Sequence, residues 1–136
     1  MPRILAIDWG AKRVGLAVTD PLQIIVTALD TIPTDRIMRY LKDYTKVEEV
    51  EQFVLGWPTH ADGNDTDSTP FVRRFHERLQ ELFPAIPVAL EDERGTSQMA
   101  VQGMIDAGFK KKDRRKKENV DKLSAVLILR SYLEQF

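Results

Sequence analysis

Apolar residues change rhythm several times along this chain, and each change marks an element. Arg3–Ile7 and Val14–Thr19 are short β-rich runs linked through Asp8 and the turn Trp9-Gly10-Ala11-Lys12-Arg13, and Thr27–Ile32 supplies a third after the Pro21 turn. Three strands with short connections predict an antiparallel meander. Thr34 then caps a helical pattern carrying Ile37, Met38, Leu41 and Tyr44, and a fourth strand runs near Gln52–Gly56 until Pro58 stops it. Ser68-Thr69-Pro70 opens a second helix with Phe71, Val72, Phe75, Leu79 and Leu82 on one face, and Pro87–Glu91 is a fifth strand. Thr96 or Ser97 starts a third helix with Ala100, Val101, Met104 and Ile105 inward and Gly108 as its stop. From Asn119 onward, Val120, Leu123, Val126, Leu127, Arg130 and Leu133 follow a last helix with a broad apolar face that packs on the sheet. Strand-helix-strand crossovers beside a meander imply an α/β protein with a mixed five-stranded sheet flanked by helices.

Length and composition narrow the class. At 136 residues the expectation is one domain, 1–136, burying roughly two-thirds of the surface of its unfolded form. Hydrophobic content of 43% and charged content of 30% fit a soluble protein, and no apolar run approaches the ~20 residues of a membrane span. The start lacks the pattern of a secretory signal, so a cytoplasmic location is expected. Without cysteine, a metal would have to be held by oxygen or imidazole.

The net charge of −1 hides an uneven distribution. Lys110, Lys111, Lys112, Arg114, Arg115, Lys116 and Lys117 make seven of eight consecutive residues basic, interrupted by Asp113. Such a block repels itself and reads as an exposed loop with affinity for polyanions; the plainer reading is a solvated linker.

Three acidic positions stand apart. Asp8 ends the first strand signal, Glu93 follows the fifth beside Asp92, and Asp121 falls in the first turn of the last helix. In sheets of this type, functional groups gather at the carboxyl ends of parallel strands. Clustered carboxylates persist ionised only with cations between them, and an oxygen-only set suits Mg²⁺ or Mn²⁺, ions that pair with phosphate. Two such ions ~3.5–4 Å apart activate water and stabilise the leaving oxygen in phosphodiester hydrolysis. Each carboxylate also has an ordinary explanation: a turn residue, a partner of Arg94, a helix N-terminal charge.

These motifs carry a family resemblance. Ile7 through Pro21 (Ile-Asp-Trp-Gly-Ala-Lys-Arg-Val-Gly-Leu-Ala-Val-Thr-Asp-Pro), Val-Leu-Gly-Trp-Pro at 54–58 with Asp62-Gly63, Asp92-Glu93-Arg94 before Thr96-Ser97, and Asp121 with Ala125 resemble the YqgF family, also called RuvX, over nearly the whole chain. The resemblance implies an RNase H-like fold and metal-binding catalytic roles for Asp8, Glu93 and Asp121. It also implies a nuclease that matures the 5′ end of pre-16S ribosomal RNA or, as the alternative, a Holliday-junction resolvase; both descriptions of the family are provisional. The chain departs from the family pattern at Gly95, frequently bulky and apolar, at Trp57 and His60 around the Gly-x-Pro loop, and at Lys122, where glutamine is common.

Around this core, Lys12, Arg13 and Arg94 are candidate phosphate contacts beside the basic block, with turn solvation and local ion pairing as the alternatives. Trp9 and Trp57 are packing residues first and base-stacking candidates second. His60 reads as a solvated loop residue and His76 as structural. Asp62, Asp65 and Asp67 lack the twelfth-position glutamate of a calcium loop, since Arg73 stands there. Expected partners are a structured RNA precursor or branched DNA and no membrane, with the chain a monomer or homodimer. Two other classes compete: a phosphotransferase of the actin or sugar-kinase type, whose hairpin shares the Asp-x-Gly opening, and a nucleic-acid-binding module without chemistry.

Overall fold

β-branched and aliphatic residues build five strands: β1 (Arg3–Asp8), β2 (Arg13–Thr19), β3 (Val26–Pro33), β4 (Val50–Trp57) and β5 (Val88–Asp92). In the computed structural model, which describes residues 2–58, 67–92 and 117–134 and only the helical backbone of 117–122, they form one sheet in the order β3-β2-β1-β4-β5. The β1–β2 and β2–β3 pairs are antiparallel, the expected meander, while β1–β4 and β4–β5 are parallel. Helices α1 (Ile37–Val47) and α2 (Thr69–Leu82) lead into β4 and β5, and α3 (Lys117–Leu133) closes the described chain. No described helix is long and apolar enough to cross a membrane.

Both faces of the central strands are covered, which is why Ile4–Ile7 and Phe53–Leu55 read as continuous apolar runs rather than alternating ones. On one face Leu5, Ile7, Leu16, Phe53 and Leu55 pack with Ile37 and Leu41 of α1 and with Val72, Phe75 and Leu79 of α2. On the other, Ile4, Ala6, Ala17 and Val54 meet Ala125, Val126, Ile128 and Leu129 of α3. A register shift in the β2–β3 pairing at Leu16/Ala17 inserts one extra residue into β3. The shift reverses the strand's phase, so Val26 packs on the α3 side while Ile32 joins the α1/α2 side.

Three local expectations give way to tertiary contacts. Thr34 does not cap α1: the helix follows a 3-10 turn, Thr34–Arg36, without a side-chain cap, because the Thr34 hydroxyl donates to the Gly10 carbonyl at 2.6 Å. Phe71 is not inward-facing but 51% exposed, lying parallel to Trp9, while Val72, Phe75 and Leu79 bury as expected. Among the described side chains of α3 the buried set is Ser124, Ala125, Val126, Ile128 and Leu129, while Leu127 is half-buried and Arg130 exposed. The helix expected between Thr96 and Gly108 lies outside the described residues.

Ala6 and Ala17 are fully buried opposite α3 and let it approach the sheet closely. Ala17→Leu should overpack this layer and cost about 1–3 kcal/mol of unfolding free energy, measured by urea denaturation; an unchanged midpoint would show that the helix has room to spare.

Candidate functional site

The parallel strands all end at one edge of the sheet, at Asp8, Trp57 and Asp92, and the antiparallel strands bring the start of β2 at Arg13 and the end of β3 at Pro33 to the same edge. Asp8 terminates the central strand. Side chains alternate along a strand, so Asp8 shares the face of Ile4 and Ala6, which is the α3 face. Across β2 it pairs with Gly15. The register that joins Ile7 to Leu55 carries Asp8 to the level of Gly56 on β4. With glycine on both neighbouring strands, no side chain of theirs competes for the space beside the Asp8 carboxylate.

The same row continues to β5, where Gly56 pairs with Glu91. Glu91 is 7% exposed, and its Oε1 accepts a hydrogen bond from the Ser131 hydroxyl of α3 at 2.9 Å. This carboxylate was not among the sequence candidates. Its signal was the alternation Ala89, Glu91 on a strand whose alternate residues face a helix, which the adjacent Asp92-Glu93 pair obscured. Two strand spacings separate Asp8 and Glu91, about 10 Å between backbones. Asp92 pairs with Trp57, and Trp57 packs on the α1/α2 side, so Asp92 does not share the face of Asp8.

The turn after Asp8 is built tightly. A Cβ on Gly10 would lie 2.4 Å from the Arg13 carbonyl oxygen, a contact only glycine escapes. The Thr34 amide donates to the Lys12 carbonyl at 3.0 Å, adding to the Thr34 hydroxyl bond on Gly10. Lys12 is exposed and Arg13 half-buried, and with Thr31 and Pro33 they line a recess of about 160 Å³. On the other face of the sheet, Trp57 meets His76 edge-on at 6.2 Å between ring centroids, and the Arg73 guanidinium lies 5.8 Å from the Trp57 centroid. The buried Nε2 of His76 has no hydrogen-bond partner among the described residues.

The remaining candidates fall elsewhere. Glu93, Arg94, Lys110, Lys111, Lys112, Arg114, Arg115 and Lys116 lie outside the described residues, as do His60, Asp62 and Asp65. Lys117 is the first residue of α3, not the last of a loop. The early start also moves Asp121 to the fifth residue of the helix, past the first turn where the macrodipole is strongest. Among the described residues no three of His, Asp and Glu are grouped to hold a metal ion. The donor chemistry present, a strand-end carboxylate beside two glycines in a chain without cysteine, fits a hard divalent cation.

Comparison with known proteins agrees with this architecture. A family model described as "RuvX: Holliday junction resolvase" matches residues 2–135. A protein of Amoebophilus asiaticus is 48% identical over 136 residues, spanning 100% of this chain and 96% of its own length. One from Porphyromonas gingivalis is 49% identical over 134 residues, spanning 98% of this chain and 97% of its own. Both carry the provisional name pre-16S rRNA nuclease. Among solved structures, Thermus thermophilus RuvC bound to a Holliday junction substrate superposes with a TM-score of 0.62 at 16% identity, covering 99% of this chain and 96% of that one. The fowlpox virus resolvase in complex with Holliday junction DNA gives 0.59 at 12% identity, covering 98% and 97%. At these identities the two structures establish the fold: an RNase H-like sheet with both parallel and antiparallel strands.

Gly10→Ala should force the Asp8–Arg13 turn apart. The expected cost is about 1–3 kcal/mol of stability in denaturant titration, with shifted amide resonances from Asp8 to Thr34; a spectrum matching the parent would remove the turn from the account.

Proposed function

This chain belongs to the RuvX family, and from that membership we propose that it is a nuclease hydrolysing phosphodiester bonds, acting in 5′-end processing of pre-16S rRNA. The observation that carries the reading is Asp8: a carboxylate at the carboxyl end of the central strand, flanked by Gly15 and at the level of Gly56. Identity of 48–49% to nucleases named for pre-16S rRNA supports the RNA substrate. The family's own description supports a second reading, cleavage of four-way DNA junctions.

Asp8, Glu93 and Asp121 would hold Mg²⁺ or Mn²⁺, which supplies charge stabilisation at the scissile phosphate and activation of water when bound. The chain's own residues do the rest. Gly15 and Gly56 put no side chain of the flanking strands beside Asp8. Lys12 and Arg13, held by the Thr34 bonds to the turn, place two cations at the edge where a phosphate would enter. The block from Lys110 to Lys117 would supply further cations that read backbone charge rather than bases. End maturation requires a single site, whereas symmetric cutting of a junction requires two, so a monomer suits the first reading and a homodimer the second. A cytoplasmic location accords with ribosomal RNA processing.

Side-by-side cleavage of a pre-16S rRNA fragment and a four-way DNA junction, in Mg²⁺ and in Mn²⁺, tests the proposal. The wild type should cut the RNA and lose activity when the metal is chelated. Asp8→Asn should cut at least roughly 10–100-fold more slowly while retaining RNA binding, since loss even of groups that support metal ligands has effects of that size. Equal activity of the two proteins would overturn the assignment of Asp8, and cleavage of the junction alone would select the second reading.

A further inference from the structure

The opposite side of the same edge carries aromatic and cationic groups for which hydrolysis has no use. Trp9, the residue after Asp8, lies parallel to Phe71 of α2, with an interplanar angle of 4° and ring centroids 6.2 Å apart. The Arg74 guanidinium is 5.4 Å from the Phe71 centroid. These groups border a cleft of about 350 Å³ between α2 and the turn before α1, with Arg78 farther along the helix and Thr34 and Asp35 on the facing rim. Phe71 is half exposed, and Arg74 and Arg78 are exposed. What sets Phe71 apart from the other exposed apolar side chains is its setting, a ring parallel to Trp9 and beside the Arg74 guanidinium on the wall of a cleft.

We propose that this cleft binds an unpaired nucleotide of the nucleic-acid strand next to the cleavage point, its base stacked on the Trp9–Phe71–Arg74 group and its phosphate held by Arg74 and Arg78. The proposal rests on the nuclease reading for its context, since it places the nucleotide one residue along the chain from Asp8. Trp9 follows Asp8 at the same sheet edge but faces the opposite side, so a strand that crosses this edge would meet the Asp8 face and the cleft in turn. Aromatic faces and guanidinium planes are the surfaces on which proteins stack unpaired bases, and stacking of this kind tolerates any base. The charge distribution orients the strand. Arg74 and Arg78 lie on the α2 side and Asp35 on the other, so the phosphate belongs against α2 and the base edge toward the α1 side. Nucleotides inside a duplex are stacked on both faces, which makes the cleft selective for single-stranded segments.

Binding measured without catalysis isolates this claim. Fluorescence anisotropy in chelator would compare a 12-nucleotide single-stranded RNA, its DNA equivalent and the blunt RNA duplex, on wild type, Phe71→Ala, Phe71→Tyr and Arg74→Gln. Phe71→Ala should weaken single-strand affinity about tenfold and change duplex affinity by less than twofold, while Phe71→Tyr stays near wild type. Arg74→Gln should reduce the slope of log affinity against log salt by about 0.7 on the single strands. Comparable loss on RNA and DNA indicates stacking alone, and loss on RNA only adds a ribose contact; either supports the site. Wild-type affinity in Phe71→Ala, or equal loss on single strand and duplex with an unchanged melting temperature, would overturn it. Because no cleavage is scored, failure here leaves the role of Asp8 standing, and failure of Asp8→Asn to lose cleavage leaves this cleft standing.

Discussion

A carboxylate at the end of a strand otherwise sealed on both faces must be met by positive charge or hydrogen-bond donors, because an ionised group beside apolar rows is costly alone. Asp8 occupies that position. β1 is central in the sheet, with Leu5 and Ile7 packed toward α1 and α2 and Ile4 and Ala6 packed toward α3. The alternation that seats those four residues leaves Asp8 no choice of face, and glycine at Gly15 and at the level of Gly56 keeps its neighbourhood free of strand side chains. Close packing of Ala6 and Ala17 against α3 fixes the layer above. The turn after Asp8 is held in turn by Thr34, which ties the hairpin to the start of α1.

Much of this was legible in the sequence, and the reasons differ by element. The hairpin of β1 and β2 reads clearly because two β-rich runs flank a short turn, and α1 and α2 read clearly because Ile37 and Leu41, and Val72, Phe75 and Leu79, keep helical spacing and are buried as that spacing predicts. Where the reading erred, a contact distant in sequence won. Thr34 satisfies Gly10, 24 residues earlier, instead of capping its own helix. Phe71 keeps its place in the helical repeat yet sits at the margin of the buried face, between the buried Thr69 and Val72, where its ring lies parallel to Trp9.

The edge chemistry was only partly legible. Asp8 stood out because a charge interrupts an apolar run. Glu91 did not, since it accepts its hydrogen bond from Ser131 on α3, 40 residues away, and nothing local announces that bond. Strand alternation separates Asp92 from Asp8, a distinction that two adjacent acidic letters cannot convey without the register that pairs Asp92 with Trp57.

The edge of the sheet thus has two sides that meet at one peptide bond: acidic groups toward α3, ending in Asp8, and aromatic and arginine groups toward α2, beginning at Trp9. The central claim is that Asp8 grips a divalent ion together with Glu93 and Asp121. Anomalous diffraction from crystals soaked in Mn²⁺ tests it most directly. The account predicts a peak about 2.0–2.2 Å from an Asp8 carboxylate oxygen, with oxygens of Glu93 and Asp121 completing the cluster. A peak elsewhere, or carboxylates of Glu93 and Asp121 turned to other surfaces, would contradict it.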